Sequence, residues 1–211
     1  MRVDIWADIV CPWCYIGHKR FSRVLEGFEH GDEVEVVYRS FELDPSIPAG
    51  QVTPILELLA AKYGLSAARA RQAEASVAAT AAAEGLEFTA TRAMGNTFDG
   101  HRLVHLGRVA DRQGPVVERL YRAYFAEGRP VFEPGDLVGL AAEAGLDPGV
   151  ARQALDDGSY ADDVRADEDQ ARSLGIGGVP FFVLDGRLGV SGAQPAETFA
   201  RALQQAWESR P

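Results

Sequence analysis

The chain has 211 residues, of which 46% are hydrophobic and 25% charged, a composition that can bury a core and excludes intrinsic disorder. The formal net charge of −10 excludes a protein that binds nucleic acid or an acidic membrane surface through a basic face. Apolar runs such as Ala78–Ala83 and Pro180–Leu184 fall far short of the ~20 residues a helix needs to cross a bilayer.

Met1–Trp6 reads as the start of a strand and shows no basic head, long apolar run or cleavage site, so a cytoplasmic chain is expected. The strand spans Val3–Val10. From Cys11 to Phe28, apolar residues at Ile16, Phe21, Val24, Leu25 and Phe28 follow helical spacing, with Pro12 suited to the first turn. Glu33–Phe41 is a second strand, and the strand–helix–strand order predicts a right-handed parallel pair. Prolines 45, 48 and 54 break the next stretch into a loop. No convincing strand is expected from there to about Gly175. Helices are predicted at 54–63, 66–84, 97–113, 115–127, 135–144, 148–156 and 160–174. Strands return at Pro180–Leu184 and Leu188–Val190, joined by the hairpin signal Asp185-Gly186, and Gln194–Glu208 closes the chain as a helix.

The chain has two cysteines, Cys11 and Cys14, which excludes a disulfide-stapled fold and a four-cysteine zinc site. Cys11-Pro12-Trp13-Cys14 lies where the first strand gives way to the first helix. Two intervening residues let the sulfurs meet across one helical turn. A helix N-terminus offers free N–H groups and the positive end of the dipole, both of which favour a thiolate. Cys11 is therefore the expected accessible nucleophile and Cys14 the buried resolving thiol. The alternative, half a zinc site completed by histidine, is disfavoured because the four histidines are scattered at 18, 30, 101 and 105, and no metal is expected.

The CPWC helix start, Arg39–Pro45, Asn96–Arg102, Tyr124–Gly128, Gly178-Val179-Pro180 and Ser191–Gln194 together resemble the DsbA-like branch of the thioredoxin superfamily. More narrowly they resemble the FrnE-like and 2-hydroxychromene-2-carboxylate isomerase group of that branch. The resemblance implies an α/β, thioredoxin-like fold (β-α-β … β-β-α) with a large all-helical insertion. Residues 1–45 and 176–211 would form the thioredoxin-like domain and 46–175 the insertion. It also implies a cis Val179–Pro180 peptide facing the cysteines; on the residues alone, Pro180 could simply start a strand. The implied activity is thiol–disulfide oxidoreduction through a mixed disulfide. The alternative is a glutathione-dependent isomerase of an aromatic or polyketide-like small molecule, whose relatives tend to carry serine at the first cysteine. A binding module with a vestigial redox site would not need both the CPWC and the Val-Pro segment. No tightly bound cofactor is implied; glutathione would act as co-substrate. The partners would be a disulfide-bearing protein or small molecule and a glutathione or thioredoxin-system electron donor.

Trp13 and Val179 are the expected substrate contacts beside the sulfurs. Asn96 and His101 lie in a segment that, in the resembling family, approaches the active site, although Asn96 is also a natural helix cap. Phe98, Phe125 and Phe132 could line an apolar pocket or fill the core, and the helical block is expected to act as a lid governing substrate choice. His105 reads as a core or solvent-facing residue. Pro130 stands where relatives tend to carry an acid, so no role for that acid is transferred.

Overall fold

The computed structural model describes residues 1–210. They divide into two compact units, Met1–Leu43 together with Asp162 onward, and Asp44–Ala161.

The first unit is built on a four-stranded sheet of order β2-β1-β5-β6, from β1 (Arg2–Ala7), β2 (Glu35–Ser40), β5 (Phe181–Leu184) and β6 (Leu188–Ser191). β1 and β2 are parallel, with Val3 opposite Val36 and Ile5 opposite Tyr38, as expected for a crossover through α1 (Pro12–Glu26). β5 is antiparallel to β1, and β5–β6 is a hairpin whose turn places Asp185 and Gly186 at positive φ, 52° and 67°. Phe21 from α1, Phe182 from β5 and Phe199 from α9 (Ala196–Glu208) form an aromatic core with ring centroids 4.7–5.6 Å apart. On the other side, Trp6 packs with Ala171 and Ile176.

Helix α8 (Ala161–Ser173), read from the sequence as the end of the helical block, lies almost wholly within this sheet unit. Its Asp167 accepts hydrogen bonds from Arg39 and from the Ser40 N–H, both at 3.0 Å, and the Trp6 indole N–H bonds its carbonyl at 3.0 Å. Arg165 reaches Glu42 at 2.8 Å. Helical periodicity alone could not place α8, because these partners are more than a hundred residues away in sequence.

The second unit holds α2 (Ile55–Tyr63), α3 (Ala67–Ala83), α4 (Phe98–Val109), α5 (Gln113–Tyr121), α6 (Pro134–Glu143) and α7 (Pro148–Asp156). It is not all-helical as expected. β3 (Val52–Pro54) and β4 (Ala93–Gly95) pair antiparallel in a two-stranded ribbon. Each is only three residues long, too short for an alternating pattern to show, and β3 ends in a proline. The helix expected at 115–127 also ends differently, in a π-helical turn at Arg122–Ala126 that frees the Phe125 carbonyl to accept the Thr89 N–H at 2.6 Å.

Candidate active site

β1 ends at Ala7, and a turn over Asp8–Val10 delivers Cys11 to the N-cap of α1 with φ −83° and ψ 114°. The Cys11 carbonyl accepts the Cys14 and Tyr15 N–H groups at 3.0 and 3.2 Å. Pro12 fills the first helical position, where its missing N–H leaves no unmet bond. No acidic residue lies in the first turn of α1.

Both cysteines are free thiols and both are buried, Cys11 at 3% exposure and Cys14 at 1%. The expected contrast in accessibility is therefore absent from this state, and Trp13 between them is the exposed residue of the motif, at 43%. The contrast that does exist is chemical. Burial pushes the Cys14 thiol well above its ordinary value; the hydrogen bond and charge of Cys11 and the charge of Asp8 add to the rise, against a backbone hydrogen bond at Asp8 that lowers it. Cys14 is thus a protonated thiol beside Cys11, a hydrogen-bond donor toward charge that develops there.

The Cys11 thiol lies 3.6 Å from the Val179 carbonyl, and the Val179–Pro180 peptide is cis. Several of the sequence motifs meet here. The Gly192 N–H, with φ +80° at that residue, bonds the Pro180 carbonyl at 2.8 Å. Arg20 of α1 bonds the Ala193 carbonyl at 2.6 Å. Val179 itself packs on the Trp6 cluster. The Arg39–Pro45 motif also gains a physical role, because its Arg39 and Ser40 hold Asp167 while the Leu43 N–H bonds the Asp8 carboxylate at 2.7 Å.

Two residues of this region were missed in the sequence. A Cβ on Gly17 would stand 3.0 Å from the Pro180 ring and 3.5 Å from Ala193, so a side chain there would push the Pro180 ring aside by a few tenths of an ångström. Its signal was a glycine one turn after Cys14 inside an otherwise good helix. Asp8, 1% exposed, sits three residues before Cys11. A carboxylate at the end of an apolar strand was the clue.

The remaining candidates lie in the helical unit. The Asn96 side chain accepts from the Phe98 N–H at 3.0 Å and donates to the Ile47 carbonyl at 2.9 Å, so it starts α4 and ties down the preceding loop. His101 and His105 are both buried, at 3% and 7% exposure, which settles the core reading for His105. Phe98 is half-buried and Phe125 fully so. Arg102, within the same motif, is an anchor that sequence reasoning passed over. It donates to the Ser159 carbonyl at 2.8 Å and to the carbonyls of Ala154 and Leu155, capping the end of α7. Among the described residues no group of three or more His, Cys, Asp or Glu side chains is placed to hold a metal ion, and no helix is long and apolar enough to cross a membrane.

Known proteins share the fold of this chain. A probable DsbA oxidoreductase from Streptomyces coelicolor has a similar structure, with TM-score 0.96 and 52% identity, covering 100% of this chain and 92% of that one. The fold is shared with 2-hydroxychromene-2-carboxylate isomerase (TM-score 0.76, 16% identity, 99% and 97% coverage). It is also shared with the cytosolic disulfide reductase DsbM from Pseudomonas aeruginosa, solved with glutathione (TM-score 0.68, 18% identity, 99% and 100% coverage). In sequence, the Bacillus subtilis protein YwbO is 25% identical over 209 residues, 96% of each chain. The family model for a DsbA-like thioredoxin domain matches residues 2–204, and the chain belongs to that family.

Proposed function

We propose that the protein is a thiol–disulfide oxidoreductase whose redox pair is Cys11 and Cys14. The observation that supports this best is the local chemistry of the pair: Cys11 at a helix N-terminus with its sulfur 3.6 Å from the Val179 carbonyl, next to a buried thiol that resists ionisation. In the reductive direction, the Cys11 thiolate attacks one sulfur of a substrate disulfide and the other sulfur leaves as a thiolate. Cys14 then loses its proton and attacks Cys11, releasing the second substrate thiol and leaving a Cys11–Cys14 disulfide. The substrate gains two electrons and the pair loses two. Glutathione, as the proposed co-substrate, would return the pair to the dithiol, the direction a reducing cytoplasm favours. Trp13 offers an exposed apolar contact beside the attacking sulfur.

Insulin reduction driven by glutathione tests the reading. Wild type accelerates it, Cys11→Ser abolishes the acceleration, and Cys14→Ser accumulates a mixed disulfide with glutathione visible by intact mass. Full activity in Cys14→Ser would overturn the two-cysteine mechanism in favour of a glutathione-dependent isomerase.

A further inference from the structure

A cleft of about 560 Å³ opens in the helical unit, lined by β3, the start of α2, the approach to β4 and the segment after the π-helical turn. That volume falls within the range of small-molecule sites, about 300–1,000 Å³. The lining is mainly aliphatic, from Val52, Pro54, Ile55, Leu56 and Pro130, with the Phe132 ring beside them. Four of the nine residues of α2 are Ile or Leu, and none of them is buried. Val52, at the head of β3, is 52% exposed. Aliphatic surface left in water forgoes the free energy that covering it releases, and a concave patch of it marks a binding surface.

The polar groups of the wall are already bonded. The Tyr124 hydroxyl donates to the Ala93 carbonyl at 2.9 Å, and the Ile55 N–H bonds the Arg92 carbonyl at 3.0 Å. The Thr91 and Thr89 hydroxyls meet at 3.0 Å. The Arg92 side chain is 2% exposed, pairs with Glu74 and stacks 4.0 Å over the Phe88 ring centroid, so an occupant cannot reach it. Arg129 bonds both oxygens of Glu143, at 3.0 and 2.9 Å. These bonds also fix the walls in advance, so an occupant would not have to order them.

A ligand that pressed a polar group against this wall would strip it of water and gain no bond in return. The wall therefore selects an apolar body whose polar end stays in water. The accessible charges of the lining are one of each sign, Arg129 and the exposed Glu57, so the sign of that end is not selected. We propose that this cleft binds the alkyl chain of a small amphiphile, with the head group left in solvent. No cysteine lines the cleft, and the site does not rest on the thiol chemistry.

Calorimetric titration of the full chain with the straight-chain alcohols hexanol, heptanol and octanol tests this. Binding should be saturable and should tighten about fourfold for each added methylene, the gain from burying one CH₂. Octanoate and octylamine should match octanol within about threefold, and phenylethanol, with as many carbons as octanol but a ring, should bind at least about tenfold more weakly. Ala90→Trp, at an exposed lining position, fills the cleft, and Leu56→Gln makes its half-exposed wall polar; each should cost octanol about tenfold while leaving thermal unfolding unchanged. Absence of saturable octanol binding, or octanol binding indifferent to both variants, would overturn the site. Affinity flat with chain length, or phenylethanol as tight as octanol, would overturn the alkyl class. Octanoate or octylamine departing from octanol by more than about tenfold would show that the wall reads the head group, and would overturn its placement in solvent.

Discussion

In the sheet unit, Arg39 commits its guanidinium to two aspartates, Asp4 at 2.8 Å and Asp167 at 3.0 Å; in the helical unit, Arg92 gives one nitrogen to Glu74 and lays its face 4.0 Å over Phe88. Burial weakens the charged form of both. For Arg39, the bonds and charges of Asp4 and Asp167 outweigh burial, and its affinity for the proton rises above the ordinary value. For Arg92, burial wins over Glu74 and the affinity falls. A buried cation with two carboxylates is a closed structural joint, whereas Arg92, with a single carboxylate and an aromatic face, leaves its Nε and Nη1 without a hydrogen-bond partner. The first ties α8 and the sheet together on the side that carries Val179. The second lines a cleft.

The sharpest way to break this comparison is to remove the acceptor at the joint. Asp167→Ala leaves Arg39 with Asp4 alone and leaves the Ser40 N–H without its carboxylate. Removing one partner of a buried pair typically costs about 3–5 kcal/mol, and a loss of that order is expected in urea unfolding. Because the same joint underlies the Trp6 cluster that holds Val179, turnover of a disulfide substrate should fall too. A loss under about 1 kcal/mol, the level of an exposed pair, would show that the joint is not structural.

A titration tests another polar pair of the sheet unit, a part-buried one. His18 on α1 meets the Tyr38 hydroxyl on β2 at 2.5 Å, and burial, with a smaller contribution from Lys19, lowers its pKa from 6.5 to about 4. Below pH 6.5 the unfolded chain takes up a proton at this site that the folded chain refuses, so stability is full above that value and is lost as pH falls toward 4. Between pH 7 and 5 the wild type should lose about 2 kcal/mol relative to His18→Gln. Parallel pH profiles for the two proteins would show that the fold does not lower the His18 pKa.

How much of this was legible in the sequence differs between the units for a physical reason. The sheet unit announces itself locally: alternating strands, proline at the first turn after Cys11, and Asp185-Gly186 between two apolar runs each have a short-range cause. Asp167 as the centre of the joint was not legible, because its partners at Arg39 and Ser40 are distant in sequence. In the helical unit the helices were readable from their periodicity, but the β3–β4 ribbon and the π-helical turn were not. Both are made by tertiary bonds, such as Thr89 to Phe125, that override local preference. The cysteine pair and Pro180 were proposed from motif and position, while Gly17 and Asp8 owe their place to neighbours distant in sequence, Pro180 and Leu43.

The smallest effect expected is at the surface of the helical unit, where Arg119, Arg129, Glu127 and Glu143 form a network beside the π-helical turn. Arg119 and Arg129 reach Glu143 at 2.7 and 2.9 Å, but the Glu143 side chain is 45% exposed. The hydrogen bond from Arg129 holds the Glu143 carboxyl below its usual range, and Arg119 does the same for Glu127. Groups of this kind contribute stability that is present above the ordinary carboxylate value and lost as pH falls through the lowered one. Exposure to water limits that contribution, so Glu143→Gln should cost less than about 1 kcal/mol at neutral pH. The cost should shrink further in ~1 M salt, where screening acts over about 3 Å. The Asp167→Ala cost, by contrast, should persist in the same salt, because its partners are buried. If salt erased both costs alike, the distinction between a closed buried joint and a solvated network would fail.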